Sequence, residues 1–277
     1  MARVKQRGFT LAEMGVAVSI GLLALGAVIG TNVAMTNVAS KLTAGGSTIK
    51  KGVSSIEILT RDLRDSDLLL AQWPPNGNAQ FTANESNTLI VRVPKVSGTS
   101  LVAGQYNAYI YYLRTQSGAD GPFVLTRYQA TLNNGNASTA TLDRVVATNV
   151  TASNFVYTCR ETFHGESSYV KFRTRTMPQG DKPGFAQEAW MNGTELLDSG
   201  DAEYDGDLLR FAQAPSWGAL VDARYSVDPA TVVGGEGGCN ATDILVTLKI
   251  RPTWKNRTYT DQNRTVEIST RMRLRNK

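Results

Sequence analysis

The pattern of apolar and polar positions changes twice along the chain. Between Phe9 and Ile29 it has no period: Gly15 to Gly30 reads GVAVSIGLLALGAVIG, and Glu13 is the only charged side chain in the stretch. As a helix rising ~1.5 Å per residue it is roughly 30 Å long, the thickness of a bilayer's hydrocarbon core. From Thr31 the spacing becomes helical and amphipathic. Met35, Leu42, Ile49, Ile56 and Leu63 recur every seven residues, with Val38, Val53 and Leu59 on neighbouring rows, which makes one apolar stripe. The spacing predicts that the helix runs on through 31–73 and stops at Trp73-Pro74-Pro75-Asn76-Gly77. The stripe is read as a seam packing on the protein's own domain, the other reading being a coiled coil. Glu57 and Arg61 form a favourable i,i+4 pair, whereas Gly45, Gly46 and Gly52 weaken the helix by ~1 kcal/mol each relative to Ala.

Beyond Gly77 the period is two. Leu89–Val93, Tyr106–Arg114, Phe123–Tyr128, Leu142–Val150, Phe155–Arg160, Asp243–Arg251 and Arg264–Arg275 alternate or read as short apolar runs bounded by turn residues, as strands do. The second and third are joined through Gly118 to Pro122 as a hairpin. These are expected to form an antiparallel sheet with one face wet. The stretch 174–238 is rich in Pro and Gly and has one good strand candidate, Ala219–Val227. Its Phe185, Trp190, Leu208, Leu209, Phe211 and Trp217 favour a packed insertion over a disordered one. The fold class is therefore α+β: a long N-terminal membrane-spanning helix continuing into a mostly antiparallel β-sheet domain over 78–277.

Charge decides how the apolar run is oriented. Arg3, Lys5 and Arg7 precede it, so the positive-inside rule keeps the first residues in the cytoplasm and exports the rest. A secretory signal peptide has an h-region of roughly 7–15 residues followed by a small-residue cleavage site. Here the run is longer, and the only processing-like step, a Gly before a bulky residue, comes ahead of it. A plain membrane anchor leaves Glu13 unexplained, because an ionisable group in lipid needs a partner.

The junction Gly8-Phe9-Thr10-Leu11-Ala12-Glu13 resembles the class III leader of type IV pilins and pseudopilins. The resemblance implies a leader at 1–8, cut after Gly8 by a prepilin peptidase of the bacterial inner membrane. It implies N-methylation of the new terminus, Phe9, and a transmembrane half over 9–30. It also implies that Glu13 neutralises the terminal amine of a neighbouring subunit, two charges that are each costly alone in lipid and less so when paired. Many pilins carry a helix-breaking Pro near the end of the membrane half; this chain has only glycines there. More weakly, Arg61-Asp-Leu-Arg64, Tyr109-Ile-Tyr-Tyr-Leu113, Leu125-Thr-Arg127 and Met272-Arg-Leu-Arg-Asn276 resemble large minor subunits. These are the J-type pseudopilin of type II secretion and the W-type minor pilin of type IV pili, and the choice between the two systems stays open. The implied partners are the peptidase, other minor and major pilins, and inner-membrane lipid. The implied role is to initiate or cap a filament, the alternative being a tip-located adhesion or DNA-uptake module. The implied site is the inner membrane, with the domain in the periplasm.

Composition narrows this further. The 277 residues carry a net charge of +5 from 29 basic and 24 acidic side chains. Without Arg3, Lys5 and Arg7 the balance is 26 against 24, too even for a broad nucleic-acid surface. Two cysteines and one histidine are too few for a structural zinc site. His164 has no paired nucleophile in the sequence, and there is no G-x-S-x-G, P-loop or H-E-x-x-H pattern, so the chain reads as a non-enzyme with no cofactor. Cys159 is placed on the inward face of its strand and Cys239 follows a glycine run. In an exported domain the two suggest a disulfide, against the alternative of two free thiols. Asp201, Glu203, Asp205 and Asp207 with Gly206 resemble the opening of a calcium loop, but the twelfth position is Ala212 where a bidentate Glu belongs. The other reading is a solvated acidic turn.

Overall fold

The computed structural model describes residues 11–115, 122–166, 170–183, 185–231, 243–254, 257–258 and 265–273. Helix α1 runs unbroken over Leu11–Arg64, which at ~1.5 Å per residue makes it roughly 80 Å long. The main strands follow: β1 (Thr88–Ser97), β2 (Ser100–Thr115), β3 (Phe123–Asn133), β4 (Thr141–His164), β5 (Lys171–Arg173), β6 (Glu188–Met191), β7 (Ala202–Asp205), β8 (Leu208–Phe211), β9 (Leu220–Val227), β10 (Asp243–Ile250) and β11 (Val266–Arg273). The large sheet is antiparallel throughout, in the order β1-β2-β3-β4-β9-β6, with β10 on the other edge of β4 and β11 outside β10.

The sheet turns on β4. The sequence separates Leu142–Val150 from Phe155–Arg160, but they are one strand of 24 residues. Its first part pairs β3, its middle pairs β10, and Tyr157–His164 pairs β9. Between β3 and β9 its edge is met by the Glu85–Ser86 turn. Phe155 N–H donates to the Glu85 carbonyl (2.7 Å) and Ser153 Oγ to the Ser86 carbonyl (2.6 Å), so this edge of β4 bonds the turn between its two partner strands.

α1 ends earlier than 73. Asp65 N–H bonds the Arg61 carbonyl, and Ser66 bonds the Leu63 carbonyl through both its N–H and its hydroxyl, closing the last turn. Leu68 and Leu69 then pair with Arg92 and Val91 at the edge of β1. The expected stop, Trp73, is instead fully buried on the far side of the sheet. It packs with Leu70, Ala83, Ile90, Ala108, Ile110, Ala130 and Leu132, and its Nε1–H donates to the Ser138 carbonyl. The expectation of one wet face is thereby corrected: the segment after the helix covers the outer face of β1–β3 with a second apolar layer.

The packing stripe also differs from the seven-residue row. Ile56, Leu59 and Leu63 are buried against Leu89, Tyr111, Phe155 and Val246, as expected. Met35, Leu42 and Ile49 are 65%, 71% and 49% exposed, and Val38 and Val53 are exposed with them. An α-helix drifts ~20° per heptad against a seven-residue repeat. A row on the outer flank at Met35 therefore reaches the sheet only near Ile56. Upstream, the seam is made of small residues, Ala44, Thr48, Gly52 and Ser55, all buried. At Gly52 an added Cβ would lie 2.1 Å from Ile268 Cδ1 and 3.2 Å from Ile250 Cδ1, so the glycine permits close approach.

The 174–238 stretch is not one insertion. Leu220–Val227 lies inside the large sheet between β4 and β6. Strands β7, β8 and β5 form a separate small sheet, whose Leu209, Phe211 and Phe172 pack with Phe163, Val221 and Ala223 of the large one.

Candidate functional site

Two features of α1 set it apart. The first is its projecting half. Every side chain from Met14 to Thr36 is exposed, Leu23 by 75%. Apolar residues point in all directions there, so this half has no face of its own to bury against the domain, whose core closes without it. A helix that is apolar all round is suited to apolar surroundings on every side. Ser19 and Thr31 direct their hydroxyls back to the carbonyls four residues earlier, 2.9 and 2.8 Å away, so the polar groups within the run are internally satisfied.

The second feature is the ionic anchor at the other end. Asp62 lies on the buried face of α1, one turn after Leu59, and Arg127 lies on the inward face of β3 in phase with Leu125. Arg127 Nε is 2.8 Å from Asp62 Oδ2, with both side chains 9% exposed. The Nε–H itself is not aimed at an acceptor, so the contact is ionic rather than hydrogen-bonded. Tyr111 faces Arg127 in register and donates its hydroxyl to Asp62 Oδ2 at 2.6 Å. Arg127 Nη1 donates to Asp143 Oδ2 at 2.7 Å, and its guanidinium lies 3.8 Å over the Tyr109 ring. Asp143 also accepts from Arg144 at 2.8 Å.

Burial pushes the Asp62 carboxyl above its ordinary value, against the pull of the Tyr111 hydrogen bond and the Arg127 charge. Burial, and then the neighbouring Asp62 charge, push the Tyr111 phenol up strongly, so it stays protonated as a donor. At Asp143 the upward effect of burial is outweighed by hydrogen bonds and charge from Arg144 and Arg127, which hold it low. The cluster draws together three of the motifs singled out in the sequence, around Asp62, Tyr109–Leu113 and Arg127. What the sequence reading missed was their contact. The available signal was one acid on the apolar face of the helix and one arginine on the apolar face of a strand: opposite charges that burial obliges to pair.

The other candidates fall as follows. Gly8 and Phe9 lie outside the described residues. Glu13 belongs to α1, but its side chain lies outside what is described. Cys159 is fully buried in the main core and engaged in a disulfide; Cys239 lies outside the described residues. The acidic run forms the β7–β8 hairpin, turning at Gly206 (φ 62°). Asp205 is ion-paired with Arg210 and Asp207 with Arg173 (3.0 Å), and Asp201 accepts from Ser199 Oγ (2.6 Å). The glycine serves the turn, Asp201, Asp205 and Asp207 have separate partners, Glu203 is exposed on β7 opposite Arg210, and no group of three metal-type ligands occurs among the described residues. His164 ends β4, exposed, opposite Leu220. Set against protein-family models, curated proteins and solved structures, the chain matches none.

Proposed function

We propose that the chain is a minor subunit of a type IV pilus-like filament, a pilus or a type II secretion pseudopilus, that helps to initiate or cap it. In this reading prepilin peptidase cuts between Gly8 and Phe9 and the new terminus is N-methylated. Residues 9–30 hold the subunit in the bacterial inner membrane while the β-rich domain is exported. Glu13 then pairs with the terminal amine of a neighbouring subunit during assembly. The observation that supports this best is the continuity of α1. One unbroken helix carries an exposed, all-round apolar half and a half docked onto a folded domain. The exposed Met35, Val38, Leu42, Ile49 and Val53 extend apolar surface beyond the membrane length, where neighbouring helices of a filament would cover it.

Glu13→Ala tests the assembly role. Leader cleavage and the folded domain should survive, because Glu13 lies far along the chain from the docked half of α1. Co-purification with the other minor subunits from membranes should fall, along with filament number or secretion. Unchanged co-purification and normal assembly would remove the role given to this residue. A second reading, a binding module presented at the filament tip, is favoured by the large apolar side chains that the domain leaves in water. Trp217 is 78% exposed, and Trp190 and Leu220 are 37% and 48% exposed.

A further inference from the structure

Where α1 crosses the sheet, the seam opens into a cleft of about 340 Å³ between the helix, the Val145–Asn149 part of β4 and the end of β10. Its walls are fixed. Ser55 Oγ ties the helix to the Val146 carbonyl at 2.8 Å, and Arg251 N–H bonds the Asn149 carbonyl at 2.9 Å. Asn149 takes a positive φ of 58° within β4, beside the register shift where Ile250 pairs with Val150, so the strand is locally irregular at this corner.

The cleft's chemistry is one-sided. Among the described residues it is lined by two cations, Lys51 from the helix and Arg251 from the sheet, and by the neutral groups of Ser54, Thr148 and Asn149, with no carboxylate. None of these five side chains has a hydrogen-bond or ion-pair partner among the described residues, and Arg251 Nε is buried without an acceptor. A buried donor without an acceptor is rare in a folded protein and asks for a ligand atom or water. Two cations with several neutral donors match a phosphate group, which carries about −2 charge near neutral pH and offers three acceptor oxygens.

We propose that this cleft binds a phosphate group, free or borne as a monoester, between Lys51 and Arg251. The site is independent of the filament reading. Because its two cations come from the helix and from the sheet, a bound phosphate would also brace the seam, stabilising the docked state by mass action.

The test is isothermal titration of inorganic phosphate into the full chain in neutral-detergent micelles, at ionic strength held constant with chloride. One saturable site is expected. Arg251→Gln should weaken it by tenfold or more and Lys51→Gln severalfold, while Lys95→Gln, which removes an exposed cation on the β1–β2 hairpin, should leave it unchanged. Lys51 is an exposed helix residue, so its variant keeps the test valid if Arg251→Gln unfolds. β-Glycerophosphate separates the sources: binding equal to inorganic phosphate indicates an ester, and binding of inorganic phosphate alone indicates the free ion. Absence of a saturable site would overturn the proposal. So would unchanged affinity in Lys51→Gln, or an equal loss in Lys95→Gln.

Discussion

From Met14 to Thr36 no side chain of α1 is buried, whereas from Thr48 to Leu63 every turn puts at least one residue against the sheet. The two halves differ in kind as well as in exposure. The projecting half is built of large apolar side chains on all sides. The docked half begins with small residues, Ala44, Thr48, Gly52 and Ser55, then gains Ile56, Leu59 and Leu63, and ends on the buried Asp62–Arg127 contact. Close approach and one ionic contact therefore define the seam, while much of the helix's bulk points away from the domain. The apolar content of α1 is more than its own domain uses.

The sharpest way to break this contrast is at the anchor. Arg127→Ala strands Asp62 and Asp143 without their shared cation, and breaking a buried pair from one side costs about 3–5 kcal/mol. Denaturant unfolding of the chain in neutral-detergent micelles, followed by tryptophan fluorescence, should show that loss, with the helicity of the projecting half retained by circular dichroism. A loss under about 1 kcal/mol would reduce the cluster to an ordinary surface pair. The glycines give a smaller, paired effect. Gly52→Leu must displace Ile268 and Ile250 and should cost ~1–3 kcal/mol by overpacking. Gly46→Ala has open space and should gain up to about 1 kcal/mol from helix propensity. The same unfolding curves measure both, and equal costs at the two positions would contradict the seam.

The helix itself was legible in the sequence, since a charge-free run and a helical stripe have few other readings. The face it docks with was not. A seven-residue row looks like a seam on paper, and only its drift around a straight helix, together with where the domain begins, shows that Met35 to Ile49 lie off the sheet. The two prolines after Trp73 read as a helix stop there, whereas the helix already ends at Arg64 and Trp73 lies in a short strand. That an apolar segment would fold over the outer sheet face depends on Ile90, Ala108 and Ile110 being apolar on the face opposite Val91 and Tyr111, a two-sided pattern that reads more weakly than alternation. The anchor residues were named in three separate motifs, but their meeting is set by sheet register, which pairs Tyr111 with Arg127. The split of the 174–238 stretch follows from β9 pairing with β4, a contact between strands distant in sequence that local pattern does not encode.

The smallest effect is in pH. Asp143 is held below its ordinary value, so its contribution is present above about pH 4 and is lost as pH falls through its lower folded pKa. Asp62 is raised, so its contribution is present in acid and is lost as pH rises through its folded pKa. The two oppose each other in the intact chain. Between about pH 3 and 6, Asp62→Asn should lose more stability on acidification than the parent and Asp143→Asn less. Identical pH slopes in both variants would show that neither carboxylate titrates as the anchor requires.

In the proposed function the projecting half of α1 is the retained membrane and assembly segment of a mature subunit. Intact mass and N-terminal fragmentation of the protein purified from bacterial membranes test this most directly. The account predicts a chain beginning at Phe9 with a methylated amine, and a Gly8→Ala chain that keeps Met1 to Arg7 attached. A mature chain beginning after Ile29, with the apolar run removed, would contradict it.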